Sequence, residues 1–133
     1  MRYCSKAEHC VDDVRQKLWA WKVPTEEHDD IINTLIDNNF INEQRYANAF
    51  VKDKFRFNHW GRIKISIMLR AKKIDAAIID DALSSIDEDE YLDTLRNLIS
   101  RWSAETDQQK LMRKAVSRGF EPNLVREVIS SLS

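Results

Sequence analysis

Residues that favour turns are nearly absent from this sequence, and their scarcity is its strongest structural constraint. The 133 residues include only two glycines and two prolines. A β-rich fold of this length would need many more, because tight turns draw heavily on these two residue types. We therefore expect long helices joined by short polar connections.

Apolar residues recur with a helical period through nearly the whole chain. One predicted face comprises Val11, Val14, Leu18 and Trp21, at positions i, i+3, i+7 and i+10. Helix starts are predicted at the capping residues Thr25, Asn42 and Asp75, and at Pro122. A helix near 107–117 is expected to end before Gly119. Residues 1–8 are interpreted as the remnant of a truncated first helix, which brings the predicted total to nine.

An internal repeat organises these helices. Residues 69–79 (LRAKKIDAAII) match residues 115–125 (AVSRGFEPNLV) at a constant offset of 46, and residues 18–36 form a weaker copy. A period in the forties that contains three helices is typical of stacked helical units. We predict an all-α fold: nine helices in three tandem three-helix repeats forming an elongated, curved array. The predicted units are 1–40, 41–86 and 87–133.

The bulk composition excludes several classes of protein. Hydrophobic residues make up 43% and charged residues 32%, which suits a packed core, and the net charge of −1 implies no bulk electrostatic partner. The sequence has neither a run of about 18 apolar residues nor a signal peptide. Cys4 and Cys10 are too few for a disulfide framework. A reducing, cytoplasmic setting and no membrane contact are expected.

Motifs for catalysis or cofactor binding are missing. Cys4, His9 and Cys10 lack a second ligand pair at zinc-finger spacing. Cys10 as a nucleophile would need a base such as His28 brought near it. No G-x-x-x-x-G-K or G-x-G-x-x-G motif occurs. We expect no enzyme activity, no metal and no cofactor.

The most unusual segment is residues 52–73, which carry eight positive charges and one negative charge, a local net charge of +7. Such segregation creates a strong local field that the neutral total conceals. The acidic run 87–90 is interpreted as a helix-start cluster, or alternatively as a partner for this basic segment.

These charges are predicted to form two stripes on adjacent helices, because positions three, four and seven apart share a helix face. With Trp60 in the turn between them, the stripes could bind phosphates or an acidic protein surface; a merely solvated face is the alternative. The candidate partner-binding residues are Arg45, Lys52, Arg56, Trp60, Arg62, Lys64, Arg70, Lys72 and Lys73.

Aromatic residues accompany this segment. Phe55 is expected in the core. Phe57 and Trp60 could stack on bases or anchor a protein, although packing between repeats is favoured for both. Trp19 lies off the buried face of its helix and is expected to be half exposed, either as an interface anchor or as the filling of a groove between repeats.

Three stretches resemble the bacterial RecX family. Residues 9–18 (HCVDDVRQKL) are similar to S-x-x-E-L-x-x-K-L, residues 40–51 (FINEQRYANAFV) to Y-L-D-D-x-R-F-A-x-x-F-I, and residues 61–74 (GRIKISIMLRAKKI) to G-P-x-R-I-x-x-E-L-x-x-K-G-I. The order and spacing of the motifs carry the match, which covers nearly the whole chain. The sequence departs from the pattern at Cys10 for serine, Arg62 for proline, Met68 for glutamate and Lys73 for glycine.

The resemblance implies a non-catalytic, monomeric regulator of RecA in homologous recombination, DNA repair and the SOS response. Family members lodge in the groove of the RecA–DNA filament and oppose its growth or activity, with possible contact to the single-stranded DNA inside. Capping, groove coating and disassembly are all compatible with the sequence. A direct nucleic-acid-binding helical module is the second hypothesis, and a helical-repeat scaffold for another partner is the third.

Overall fold

The structure, a computed structural model, describes residues 8–132, and in that range it is built from helices without a strand. The helices are α1 (Val11–Ala20), α2 (Thr25–Asp37), α3 (Glu43–Arg56), α4 (Arg62–Ala71), α5 (Ala76–Leu83), α6 (Glu88–Ser103), α7 (Gln108–Ser117) and α8 (Pro122–Leu132). The prediction of nine helices is therefore not matched: eight are seen, and the ninth was placed on residues 1–8, of which 1–7 lie outside the described range. None of the eight is long and apolar enough to cross a membrane.

Helix starts follow two of the predicted caps and depart from a third. The side chains of Asn42 and Asp75 each accept a hydrogen bond from a backbone N–H in the first turn of the helix that follows. The prediction of Thr25 as a cap is wrong, because extended backbone at Pro24 already turns the chain into the helix and Thr25 is its first residue. Cys10 precedes α1 without a side-chain cap, since a thiol accepts hydrogen bonds weakly.

Helix starts and buried positions recur along the chain, at spacings of 51 and 46 positions. Helix α4 begins at Arg62 and α7 at Gln108, 46 positions later, and both contain 10 residues. Helix α1 also has 10 residues and begins at Val11, 51 positions before α4. Leu69 and Ala115, which occupy matching positions, are both fully buried. Matching helices therefore turn matching faces to the core, and the division into units at 1–40, 41–86 and 87–133 remains our proposal.

Packing is concentrated between helices that are close in sequence. Helix α1 packs on α2; α3, α4 and α5 pack on one another; and α6 packs on α7 and α8. One apolar cluster runs continuously through α3–α8, whereas a smaller cluster of Val14, Leu18, Ile32 and Ile41 joins α1 to α2. The six helices from α3 to α8 consequently share a single core.

One residue of the predicted α1 face lies outside the core. Val14 and Leu18 are buried as expected, but Trp21 is 64% exposed. Helix α1 ends at Ala20, and Trp21 follows it as the C-terminal cap, where the backbone has left the helical path. The i+10 position of the pattern is therefore not on the helix face that the periodicity predicts.

The turns after α1, α4 and α7 share one unusual backbone conformation. Their central residues Lys22, Lys73 and Gly119 have φ angles of 61°, 63° and 97°. In the second turn the N–H of Ile74 donates to the carbonyl of Leu69 at 3.2 Å, as in a Schellman motif. This left-handed region suits glycine and strains other residues. Two of the three turns therefore hold a lysine in a conformation that glycine would adopt more easily.

Replacing Lys73 with glycine should increase the free energy of unfolding by about 0.5–1 kcal/mol. Relief of left-handed strain is worth about 1–2 kcal/mol, and the greater freedom of glycine in the unfolded chain offsets about 0.4–1 kcal/mol of it. The contact of Lys73 with Asp12 is long, at 3.7 Å, and the lysine side chain is 76% exposed, so this ion pair contributes little. Urea denaturation measures the change. The variant Lys22→Gly repeats the test independently, in the equivalent turn after α1. A decrease in both variants would contradict the strain argument.

Two glycines join the helix group α3–α5 to the helix group α6–α8. The N–H of Gly61 donates to the carbonyl of Arg118 at 2.7 Å, and the N–H of Ile63 donates to the carbonyl of Gly119 at 3.0 Å. A Cβ on Gly61 would overlap the backbone of Gly119, and a Cβ on Gly119 would lie 2.6 Å from the backbone nitrogen of Lys64. Direct main-chain contact therefore fixes the position of α4 relative to α7 and α8.

Tyr91 completes this junction. Its fully buried ring lies between the rings of Phe55 and Phe120, with centroid distances of 5.7 and 5.3 Å. The hydroxyl donates to Glu121 and accepts a hydrogen bond from the backbone N–H of Arg62 at 3.0 Å. Burial and the bond to Glu121 raise the pKa of Tyr91, so it stays a neutral donor. The same side chain thus supplies apolar contact and satisfies two polar groups.

Candidate partner-binding surface

The structure brings the predicted binding residues onto α3, α4 and their connections. Residues Arg45, Lys52 and Arg56 lie on α3, Trp60 in the connection, Arg62, Lys64 and Arg70 on α4, and Lys72 and Lys73 just after it. Helices α3 and α4 pack against each other. The ion pairs of the described residues separate the cations into two classes.

In the first class, the charge is paired within the chain. The contacts are Arg45–Glu8 at 2.8 Å, Arg56–Glu90 at 3.4 Å, Arg62–Glu88 at 2.9 Å, Arg62–Glu121 at 2.8 Å, Lys72–Asp13 at 2.5 Å and Lys73–Asp12 at 3.7 Å. Most of these carboxylates come from the helices before or after the basic segment. Part of the predicted +7 excess therefore joins the groups of helices together.

The acidic run 87–90 matches both interpretations offered from the sequence. The side chain of Asp87 caps α6 by accepting from the backbone N–H of Glu90 at 3.0 Å. Glu88 and Glu90 contact Arg62 and Arg56 of the basic segment. The run therefore starts a helix and also neutralises two of the predicted binding residues.

Arg62 is the most strongly engaged of the paired cations. Its guanidinium contacts Glu88 and Glu121 and lies 3.9 Å from the centroid of the Tyr91 ring. Partial burial works to lower the pKa of Arg62, but the hydrogen bond to Glu88 and the charge of Glu121 outweigh burial and raise it. The side chain is only 24% exposed. Its contacts are those of a residue that holds the junction together.

In the second class, the cations have no carboxylate within ion-pair distance anywhere in residues 8–132. Within the basic segment 52–73, these unpaired cations are Lys52, Lys54, Lys64 and Arg70. Lys54 was counted in the charge excess but not among the candidate binding residues. Lys52 and Arg70 are exposed, and the other two are half-buried. A cation without a carboxylate partner in residues 8–132 can attract a partner of opposite charge.

Trp60 brings two of the unpaired cations to one ring. The Nζ atoms of Lys54 and Lys64 lie 5.1 and 4.3 Å from its centroid, within the range of cation–π attraction. The ring also packs edge-on against Phe50, with centroids 6.5 Å apart, and is partly buried against the core. Trp60 is therefore packed, but its ring partner Phe50 belongs to the same predicted unit, so the favoured packing between repeats stays a prediction. The same expectation was wrong for Phe57, which follows the end of α3 and is 80% exposed.

Arg118 extends this surface and was missed in the sequence. Its guanidinium donates to the carbonyl of Asn58 at 3.2 Å, beside the connection that carries Trp60. Arg118 and Lys114 both lie over the ring of Trp102, at 5.3 and 4.4 Å from its centroid. Neither has a carboxylate partner in the described range. The internal repeat could have indicated Arg118, because the offset of 46 aligns it with Lys72, one of the candidate binding residues.

The other aromatic predictions concern α1 and α3. Phe55 is 3% exposed and belongs to the core, as expected. Trp19 is 45% exposed, which agrees with the predicted half exposure. One side of its ring packs near the buried imidazole of His28, with centroids 5.7 Å apart. That imidazole hydrogen-bonds the carbonyl of Val23 at 2.9 Å, so it is a polar group within the packing of α1 and α2.

The described residues hold no assembled metal site. Within residues 8–132, no group of three histidine, cysteine, aspartate or glutamate side chains is arranged to bind a metal ion. Cys10 is buried, and burial raises the pKa of its thiol to about 11, which keeps it protonated at neutral pH. Cys4, which was expected to stay reduced and metal-free, lies outside the described range.

Comparison with known proteins adds an independent line of evidence. A family model described as the second three-helix domain of RecX matches residues 42–83. The chain is similar to a "Regulatory protein RecX" of Lactococcus lactis subsp. lactis (strain IL1403), with 31% identity over 98% of this chain and 52% of the relative. A protein of the same name from Clostridium beijerinckii is 29% identical over 99% of this chain and 65% of the relative.

The structural comparison agrees with the sequence comparison. The crystal structure of RecX from Lactobacillus salivarius superimposes with a TM-score of 0.82 and 25% sequence identity, covering 98% of this chain and 90% of that one. The chain spans about half the length of the first curated relatives that it matches, 52% and 51%.

Proposed function

Because the chain belongs to the RecX family, we propose that it is a non-catalytic regulator that binds the RecA–DNA filament and inhibits RecA. In this proposal it acts in homologous recombination, DNA repair and the SOS response, within the cytoplasm and as a monomer. Its partner is the RecA filament, with possible contact to the single-stranded DNA inside it.

One observation supports this proposal most directly: the four unpaired cations on α3 and α4. A filament of nucleic acid coated with protein offers phosphate and carboxylate groups, and unneutralised cations on two packed helices complement both. Complementary charge mainly accelerates encounter and fixes register. Arg62, Lys72 and Lys73 are paired within the chain, so we assign them a smaller share of binding than Lys52, Lys64 and Arg70.

Replacing Lys52, Lys64 and Arg70 together with alanine should weaken inhibition of RecA about ten-fold or more. Exposed charge contacts are worth about 0.2–1 kcal/mol each, and a loss of 1.4 kcal/mol is one decade in affinity. RecA ATP hydrolysis on single-stranded DNA, titrated with the wild-type and variant chains, measures the effect. The helical circular dichroism signal should be unchanged, since no ion pair within residues 8–132 is lost.

The matched control removes the same charge elsewhere. Arg101, Lys110 and Arg126 are exposed cations on α6, α7 and α8, outside the basic segment, and like the three tested they have no ion-pair partner within residues 8–132. Their triple alanine variant should inhibit RecA within about two-fold of wild type, because distant surface charge is screened beyond roughly 10 Å. Equal losses in both variants would indicate general electrostatics and contradict a localised surface. A wild-type chain that leaves RecA unaffected would refute the proposed function.

Direct binding of nucleic acid is the second candidate, and the Lys54–Trp60–Lys64 group with Arg118 favours it. Ammonium groups held without carboxylate partners can contact successive phosphates. A direct binder should bind naked single-stranded DNA, with an affinity that falls by a log–log salt slope of about −0.7 for each phosphate contacted. A RecA regulator should bind the coated strand far more tightly than the naked strand.

A further inference from the structure

The solvent side of α4 carries an apolar strip that nothing in residues 8–132 covers. Ile63, Ile67 and Met68 are 40%, 56% and 40% exposed. Ile63 and Ile67 are four positions apart and therefore adjacent on the helix surface. Met68 lies about 100° from Ile67 round the helix. The buried residues of the same helix, Ile65 and Leu69, point the opposite way. We call Ile63 and Ile67 the α4 strip.

The repeat shows that packing within a unit does not require this strip. The positions that match Ile63, Ile67 and Met68 are Gln109, Arg113 and Lys114 in α7, at an offset of 46, and Asp12, Gln16 and Lys17 in α1, at an offset of 51. All six are polar, although α1, α4 and α7 turn matching faces to the core. The fold therefore accepts polar side chains at these positions. Packing within the chain does not explain why the residues of α4 at these positions are apolar.

Unpaired cations lie on both sides of the strip. At 100° per residue, Arg70 lies about 20° from Ile63 on one edge, and Lys64 lies about 60° from Ile67 on the other, between Ile67 and Met68. Neither cation has a carboxylate partner in the described range. An apolar centre with charge at its edges is the usual anatomy of a protein–protein contact. Here the edge charge has a single sign, so the complementary surface must carry carboxylates around an apolar patch.

We infer that the α4 strip docks on an apolar, carboxylate-rimmed surface of a protein partner, which, resting on the proposed function, is the RecA protomer of the filament. A nucleic-acid strand is a poorer fit for the strip itself. Bases stack on aromatic rings and guanidinium planes, and isoleucine offers neither. Burying an aliphatic pair against another apolar surface removes both from water and stabilises the complex. In this arrangement Ile63 and Ile67 supply affinity, while Lys64 and Arg70 set the register.

The test is the double variant Ile63→Gln, Ile67→Gln, which introduces the kind of polar side chain that the matching helices carry. Fluorescence anisotropy would compare its binding to RecA filaments assembled on single-stranded DNA with its binding to the same naked strand. We expect affinity for the filament to fall about ten-fold, as for a pair of central contacts, with naked-strand affinity within two-fold of wild type. The matched control, Ile36→Gln with Leu132→Gln, changes two apolar residues that are 44% and 49% exposed on α2 and α8. Its filament affinity should stay at the wild-type level.

The outcomes separate this inference from the function on which it rests. If the wild-type chain binds the filament and the double variant binds equally well, the inference fails and the proposed function stands. A parallel loss of naked-strand binding would show that the strip meets nucleic acid, and would overturn the inference. Failure of the wild-type chain to bind filaments would overturn both. Thermal melting of the double variant at or above the wild-type temperature would confirm that the strip is dispensable for folding.

Discussion

Replacing Gly119 with alanine should lower the free energy of unfolding by about 2–5 kcal/mol, the sum of two effects. Gly119 has a φ of 97°, where an L side chain is strained by about 1–2 kcal/mol. Its new Cβ would also lie 2.6 Å from the backbone nitrogen of Lys64, and overpacking of this sort costs about 1–3 kcal/mol. The clash is with main chain, so no rotamer change relieves it. Urea denaturation followed by circular dichroism measures the loss.

Two companion variants separate the two effects. Gly61 has a φ of −80°, which any residue adopts, so Gly61→Ala tests the overlap with the Gly119 backbone alone. Lys73 already carries a Cβ in the matching left-handed turn, so Lys73→Ala should change stability by less than about 0.5 kcal/mol. If Gly119→Ala and Gly61→Ala both unfold at the wild-type urea concentration, the glycine contact does not hold the helices together.

The helices could be predicted well because their limits are set locally. A cap at Asn42 and a proline at 122 act through backbone groups within one turn, so the sequence alone places the starts of α3 and α8. The prediction that Trp21 is buried was wrong because an apolar period can continue along a sequence after the helix itself has ended. The contact of Gly61 with Gly119 could not be predicted, because it joins residues 58 positions apart through main chain that carries no side-chain pattern.

The candidate site was predictable as a charge excess but not as a surface. The spacing in the sequence predicts that Arg62 and Arg70 lie on one helix. It does not indicate that, within residues 8–132, two carboxylates lie near Arg62 and none near Arg70. Ion-pair partners 26 and 59 positions away depend on how whole helices pack. Arg118 was overlooked for the same reason, since only the folded chain brings it beside Asn58.

The distinction between paired and unpaired cations has a measurable consequence for stability. Arg70 is exposed and unpaired, so losing its side chain should change the free energy of unfolding by less than about 0.5 kcal/mol. Arg56 has one contact at 3.4 Å and a half-exposed side chain, so its loss should cost less than about 1 kcal/mol. Both serve as internal controls for a substitution at Arg62.

Arg62→Ala should lower the free energy of unfolding by about 2–3 kcal/mol, the range for hydrogen bonds to charged groups. Most of this loss comes from the pair with Glu121, since Arg62 and Glu121 are 24% and 26% exposed, whereas Glu88 is 60% exposed. The variant removes the contacts at 2.8 Å to Glu121 and 2.9 Å to Glu88, and it uncovers the ring of Tyr91. It also leaves Glu121, whose side chain is 26% exposed, without its cation. Denaturant titration in 0.1 M and 1 M salt checks the assignment, because a partly buried pair is screened less than an exposed one. The Arg62 effect should persist at 1 M salt, whereas the smaller Arg56 effect should disappear. If the stability change at Arg62 is no larger than that at Arg70, the guanidinium of Arg62 is free for a partner. Arg62 would then be assigned to the binding surface.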